Sequence, residues 1–217
     1  VIELDDTEKA IEFECYSQAD IDKMSREQLV QALVGGGLWP LIKELPFRDY
    51  ARPEVLPPAL FVGLDSLEPF HPSPQVYLPG NEALFQFGIH VLKKLVETPV
   101  YVYRCLPDID LPSAFEDLIN LTYTGNYPAH DPGALLYRMK SSPAENRAWF
   151  IDGQDILSIA RLLKNGVYPT ERVVSLGGSG APQAKHCITR MGAPLSFIAA
   201  EQTDTENWRF IQGGILT

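Results

Sequence analysis

The run Ala59-Leu60-Phe61-Val62-Gly63-Leu64 decides the fold class of this chain. It is almost wholly apolar, prolines precede it, and Asp65 follows it. Strands with one exposed face alternate apolar and polar residues, whereas strands that are buried on both faces of a parallel sheet form continuous apolar runs. We therefore predict a buried parallel strand at 59–64, and with it an α/β protein.

Helical and extended patterns alternate on both sides of this strand. Apolar spacing and capping residues predict helices at 17–33, 39–45, 81–97, 113–119 and 152–166. Short β-rich runs predict strands at 100–104, 121–124 and 147–151, with the segment around Val174 as a further candidate. The alternation from about residue 20 to 170 predicts a parallel α/β sheet. Residues 1–16 alternate around a charged turn, which predicts two strands or a hairpin, and a domain boundary is expected near Arg172.

Composition excludes several kinds of protein. The chain has 217 residues, 45% of them hydrophobic, and a net charge of −10. This charge argues against a nucleic-acid partner, and no run reaches the roughly 20 apolar residues of a membrane-spanning helix. The three cysteines and four histidines are scattered, so we predict no metal site, no disulfide framework and a reducing compartment. Because the chain begins in mid-strand without a methionine, we expect it to be the middle portion of a longer protein.

A glycine triplet, Gly35-Gly36-Gly37, provides the weak candidates for a ligand loop. It precedes Trp39 and Pro40, and free backbone N–H groups at the start of a helix favour anions. Lys43 could face such an anion. The alternative is that the glycines only end a helix and permit close packing, since the run matches neither a dinucleotide fingerprint nor a Walker motif.

Other polar residues have a functional and a structural interpretation. Asp65 ends the buried strand, where open α/β sheets place ligand contacts, although it could simply cap the next loop. We interpret Gln154 and Asp155 as capping groups in the first turn of a helix. His71 is expected to be an exposed loop residue. No arrangement of nucleophile and base is visible, so no catalytic residue is predicted.

A resemblance to a known family runs through nearly the whole chain. It is carried by residues 36–42 (GGLWPLI), by Trp149-Phe150-Ile151 and by Arg172-Val173-Val174-Ser175-Leu176-Gly177-Gly178, with Arg190 and Gly192 near the end. In this order the motifs resemble those of the A subunits of the Na⁺-translocating NADH:quinone reductases.

The resemblance implies a fold related to the flavin-bearing subunit of complex I. Residues 1–18 would end a barrel-sandwich β domain, 19–170 would form a Rossmann-like domain, and 171–217 would form part of a β-grasp domain. Leu38 and Trp39 replace the small residues that admit a cofactor in the complex I and Rnf relatives, which implies that cofactor binding was lost. Residues 125–137 depart from the family, because its paired histidines are absent.

The resemblance also implies a function. The chain would be a cofactor-free, soluble subunit on the cytoplasmic side of the bacterial inner membrane, docked to other subunits. The complex uses NADH, flavins, an iron–sulfur centre and ubiquinone. The aromatic residues Trp39, Phe47, Phe61 and Trp149 are expected to be core, with a quinone contact as the other interpretation. The alternatives are an Rnf-like or complex I-like subunit that binds flavin and NADH, and an unrelated nucleotide-binding Rossmann enzyme.

Overall fold

The computed structural model describes residues 9–181, 183–199 and 209–216. Strands in these ranges are β1 Lys43–Glu44, β2 Asp49–Tyr50, β3 Leu60–Gly63, β4 Val100–Arg104, β5 Leu121–Thr122, β6 Trp149–Asp152, β7 Glu171–Leu176 and β8 Lys185–Arg190. Helices are α1 Gln18–Lys23, α2 Arg26–Gly35, α3 Pro74–Tyr77, α4 Glu82–Val96, α5 Ser113–Glu116, α6 Pro132–Met139, α7 Gly153–Asn165 and α8 Leu195–Ala199.

The main sheet has the strand order β2-β1-β6-β3-β4-β5. Strand β3 pairs in parallel with β4 on one side and with β6 on the other, and β5 pairs in parallel with β4. All four residues of β3 are buried. The prediction of a central parallel strand from the apolar run is therefore confirmed.

Two apolar layers cover the faces of the sheet. Leu60 and Val62 belong to a core with α2, α4 and α7, whereas Phe61 faces a smaller cluster that includes Leu135 of α6. This division follows from the alternation of side chains along a strand. Helix α6 was not predicted from the sequence, although Asp131 caps it through bonds from the N–H groups of residues 133 and 134.

The N-terminal predictions need several corrections. The single helix predicted at 17–33 is two helices, because Ser25 caps α2 in a capping box with Gln28. In place of the helix predicted at 39–45, a 3₁₀ helix spans Trp39–Leu41 and β1 follows. So short a helix is marginal by itself, whereas β1 gains pairing with β2 and β6.

The predicted N-terminal hairpin lies partly outside the described residues, since these begin at residue 9. The prediction of a second strand in this hairpin is wrong, because residues 9–16 form one isolated bridge, from Glu12 to Val167. The backbone N–H of Phe13 donates to the Gly166 carbonyl at 2.7 Å, which fastens this segment to the end of α7.

The segment around Val174 does not join the main sheet. It lies in β7, which pairs antiparallel with β8 as a separate two-stranded sheet. Phe47 was also predicted wrongly, because it is 85% exposed at the turn between β1 and β2. In the same turn, Leu45 is buried instead.

Candidate functional site

A cleft of about 860 Å³ lies at the carboxyl ends of β3, β4 and β6. The chain passes from β3 to β4 and β5 on one side, whereas β6 pairs with the opposite edge of β3. Such a reversal of strand order leaves a crevice at the carboxyl ends, which is the usual ligand position in open α/β sheets. The other wall comes from β7, from the glycine-rich turn after it and from residues 209–215.

Asp65 lies in this cleft, directly after β3. Its two carboxylate oxygens accept hydrogen bonds from the backbone N–H groups of Cys105, at 2.6 Å, and of Leu106, at 2.8 Å. Burial raises the pKa of Asp65, although these two bonds and the nearby His71 and Arg104 oppose the rise. Asp65 therefore joins the loop after β3 to the end of β4.

Asp152 is the acidic residue at the end of β6. Its Oδ1 accepts the backbone N–H of Gln154 at 2.9 Å and so caps α7, at the residue where the predicted helix 152–166 begins. Its Oδ2 lies 3.6 Å from His71 Nε2. His71, which was expected to be exposed, is therefore a half-buried wall of the cleft.

Gln154 and Asp155 hold β7 and do not cap the helix, which corrects the sequence interpretation. The Gln154 side chain accepts the Val173 N–H at 2.6 Å and donates to the Val173 carbonyl at 3.2 Å. Asp155 forms an ion pair with Arg172. Burial raises the pKa of Asp155 to about 6, with a further contribution from Asp152, while Arg172 opposes the rise.

Residues 209–216 are called here the C-terminal strap, and residues 209–215 of it line the cleft. Glu68 Oε1 accepts the backbone N–H groups of Ile215 and, at 2.9 Å, of Leu216. The Tyr127 hydroxyl donates to the Leu216 carbonyl at 2.9 Å. The strap is therefore tied to the loop that follows β3 and to the segment 125–137, which departs from the family.

Two buried polar atoms of residues that line the cleft have no hydrogen-bond partner among the described residues. They are Glu68 Oε2 and His130 Nδ1. His130 is only 6% exposed, and its carbonyl accepts the Tyr103 hydroxyl at 3.0 Å. Burial lowers the pKa of His130, although Asp131 opposes this. Sequence reasoning missed both residues, since neither belongs to a motif.

The glycine triplet lies away from the cleft. Gly36 packs so closely on α7 that a Cβ there would lie 2.2 Å from Leu162 Cδ2. Gly37 has a left-handed φ of +71° after the end of α2. Gly35 is the last residue of α2. In this structure the triplet ends a helix and permits close packing.

Trp39 and Lys43 also lie outside the cleft. The Trp39 indole N–H donates to the Ala51 carbonyl at 2.7 Å, and its ring meets Trp149 edge-on at 5.6 Å. Lys43 Nζ lies 4.3 Å from the centre of the Tyr50 ring. Of the predicted ligand candidates, the structure therefore brings only Asp65 into the cleft.

Two further properties of the described ranges bear on the site. Within 9–181, 183–199 and 209–216, no group of three or more His, Cys, Asp or Glu residues is arranged to hold a metal ion. No helix in the same ranges is both long and apolar enough to cross a membrane.

The parallel-rich sheet and its cleft define an open α/β protein with a candidate binding site at the switch point. A family model described as the NqrA second alpha/beta domain matches residues 24–168, and one described as the NQRA C-terminal domain matches 173–217. The chain belongs to the NqrA family.

Curated relatives are named as the A subunit of Na⁺-translocating NADH-quinone reductase. The relative from Alcanivorax borkumensis is 30% identical over all of this chain and 48% of its own length. Those from Tolumonas auensis and Pseudomonas aeruginosa are 29% and 31% identical, with the same coverage. The chain therefore spans about half the length of these relatives.

Proposed function

We propose that this chain is part of the A subunit of a Na⁺-translocating NADH:quinone reductase, docked to other subunits without a cofactor of its own. The observation that carries this proposal is the match to two NqrA family models, in order, over nearly the whole chain. The names of the relatives supply the reaction of the complex.

The packing of the glycine loop supports the cofactor-free role. Leu38 and Trp39 are 1% and 6% exposed, so packed side chains stand where a phosphate would need bare backbone. The N-terminus of α7, which points to the cleft, is capped by Asp152. Flavins, the iron–sulfur centre and the binding of NADH would then belong to other parts of the complex.

The proposal includes a domain division and a location. Residues 1–18 would end a barrel-sandwich domain, 19–170 would form the Rossmann-like domain, and 171–217 would form part of a β-grasp domain. The separate β7–β8 sheet supports a boundary near residue 171. We place the protein peripherally on the cytoplasmic side of the bacterial inner membrane. A contact with ubiquinone is part of the same hypothesis.

Affinity purification of the full-length protein from native cells, followed by mass spectrometry, tests this function. We expect membrane-bound subunits of the reductase to co-purify. A photoreactive quinone added to the complex tests the ubiquinone contact, and labelling of this protein is the expected result. Recovery as a lone protein that oxidises NADH would overturn the proposal. Titration of the protein with FMN and with NADH tests the alternative of a flavin-binding subunit. That alternative requires that the protein bind these cofactors with a dissociation constant of about 1 μM or below.

A further inference from the structure

The two unpartnered acceptors in the switch-point cleft indicate what a ligand there must offer. Glu68 Oε2 and His130 Nδ1 are buried without a hydrogen-bond partner among the described residues. A buried polar atom without a partner is unfavourable, and the penalty is larger for a charged group. A carboxylate oxygen can only accept a hydrogen bond, and a neutral imidazole accepts through one of its nitrogens. With the His130 proton on Nε2, a ligand with several N–H donors would satisfy both atoms.

The charges of the cleft favour a cation. The described side chains that line it include the carboxylates of Asp65, Glu68 and Asp152. Two arginines of the walls are already paired with carboxylates outside the lining, Arg48 with Asp131 and Arg172 with Asp155. Arg209 lies exposed in the strap. Asp65 accepts two backbone N–H groups, and Asp152 has Gln154 N–H and His71 beside it. Glu68 is therefore the carboxylate of the lining with an oxygen that lacks a partner among the described residues.

Aromatic walls point to the same kind of ligand. Phe70, Tyr103 and Phe150 line the cleft, and aromatic faces attract cations, most of all planar guanidinium groups. Arg48 already shows this packing, with its guanidinium carbon 5.7 Å from the centre of the Phe150 ring.

We propose that the cleft binds a small organic cation of the amidinium or guanidinium class, which donates hydrogen bonds to Glu68 and His130. A cleft of about 860 Å³ has the size of a small-molecule site. A planar cation with two or more N–H groups matches two separate acceptors better than a single hydroxyl does. This inference does not rest on membership of the reductase complex.

Glu68 serves two purposes in this proposal, since its Oε1 holds the C-terminal strap and its Oε2 has no partner among the described residues. Ile211, Ile215 and Leu216 of the strap are more than half exposed.

Three isosteric probes test the proposal on the full chain by isothermal titration calorimetry: benzamidine as the cation, benzamide as the neutral amide and benzoate as the anion. We expect benzamidine to bind about tenfold or more tightly than benzamide, which corresponds to one charge-assisted hydrogen bond. Benzoate should bind most weakly. Equal affinity for the three probes, a preference for benzoate, or no benzamidine binding at about 10 mM would overturn the proposal.

Substitution of Glu68 locates the binding in the cleft. Glu68→Gln should weaken benzamidine binding about tenfold and leave benzamide binding within about twofold. Glu54→Gln removes an equal charge from an exposed residue outside the cleft and should leave both affinities unchanged. Equal losses in the two variants would mean that benzamidine responds only to the net charge, which refutes the site. If Glu68→Gln does not fold, the relative affinities of the three probes for the unaltered chain still test the proposed preference for a cation.

Discussion

Replacing Arg172 with methionine removes the positive charge that faces Asp155 where β7 meets α7. The Asp155 side chain is 12% exposed and the Arg172 side chain 33% exposed, so the substitution leaves a carboxyl group in the interior without its ion pair. Methionine keeps much of the volume of the arginine stem. The variant therefore tests the charge more than the packing.

The expected loss of stability depends on pH. Removing one partner of a buried ion pair costs about 3–5 kcal/mol when the other charge remains. Burial and Asp152 already raise the pKa of Asp155 to about 6, and without Arg172 this pKa rises further. When the pKa of a carboxyl group is higher in the folded than in the unfolded state, the group stabilises the folded protein at a pH below the unfolded pKa. This stabilisation is lost as the pH rises through the folded pKa. We therefore expect a loss of about 3 kcal/mol at about pH 8 and about 1 kcal/mol at about pH 5.

Urea unfolding followed by tryptophan fluorescence measures this difference, because Trp39 and Trp149 are buried. Arg147→Met is the matched control, since Arg147 pairs with Glu44 through a side chain that is 61% exposed. An exposed pair contributes about 1 kcal/mol or less, so the control should change little at either pH. Equal losses for the two variants at about pH 8, or a loss for Arg172→Met that does not fall at about pH 5, would refute this explanation.

A pair of glycine substitutions and a cysteine alkylation test the packing of the core. Gly36→Ala should lower the free energy of unfolding by about 1–3 kcal/mol, because its Cβ would lie 2.2 Å from Leu162 Cδ2. Gly35→Ala is the control: no atom lies within 4 Å of its Cβ, so this variant should be neutral or raise the free energy of unfolding by up to about 1 kcal/mol. Equal effects of the two variants in urea unfolding would contradict this explanation. Burial raises the pKa of Cys105 to about 12, so iodoacetamide at about pH 8 should modify the exposed Cys15 and spare Cys105. Mass spectrometry that finds both thiols modified at the same rate would count against the buried position.

Features set by neighbouring residues could be predicted from the sequence. The apolar run predicted β3 because burial on both faces leaves no polar position. The predicted helix 152–166 matches α7, because the side-chain acceptor of Asp152 and the left-handed Gly166 satisfy the backbone at its two ends. Two short segments were predicted wrongly. Within 39–45, β1 pairs with β6, which lies far along the chain, and the segment around Val174 pairs with the next strand, β8, instead of joining the main sheet. Local pattern does not specify which sheet a strand joins.

The candidate site divides in the same way. Asp65 was predicted to lie at the end of a strand, and the structure places it in the cleft. Glu68 and His130 could not be predicted, because their unpartnered atoms result from the burial of loops that are more than 50 residues apart in sequence.

Sequence alone was enough for the α/β class, the buried central strand, the ranges of α4 and α7 and the family resemblance, since each depends on local pattern or on motifs in a fixed order. Three features became visible only in the folded protein: β7 forms a separate sheet, Gln154 and Asp155 hold it, and the cleft lies away from the glycine triplet. The physical reason is that hydrogen-bond partners and burial depend on contacts between distant segments, and these exist only once the chain has packed.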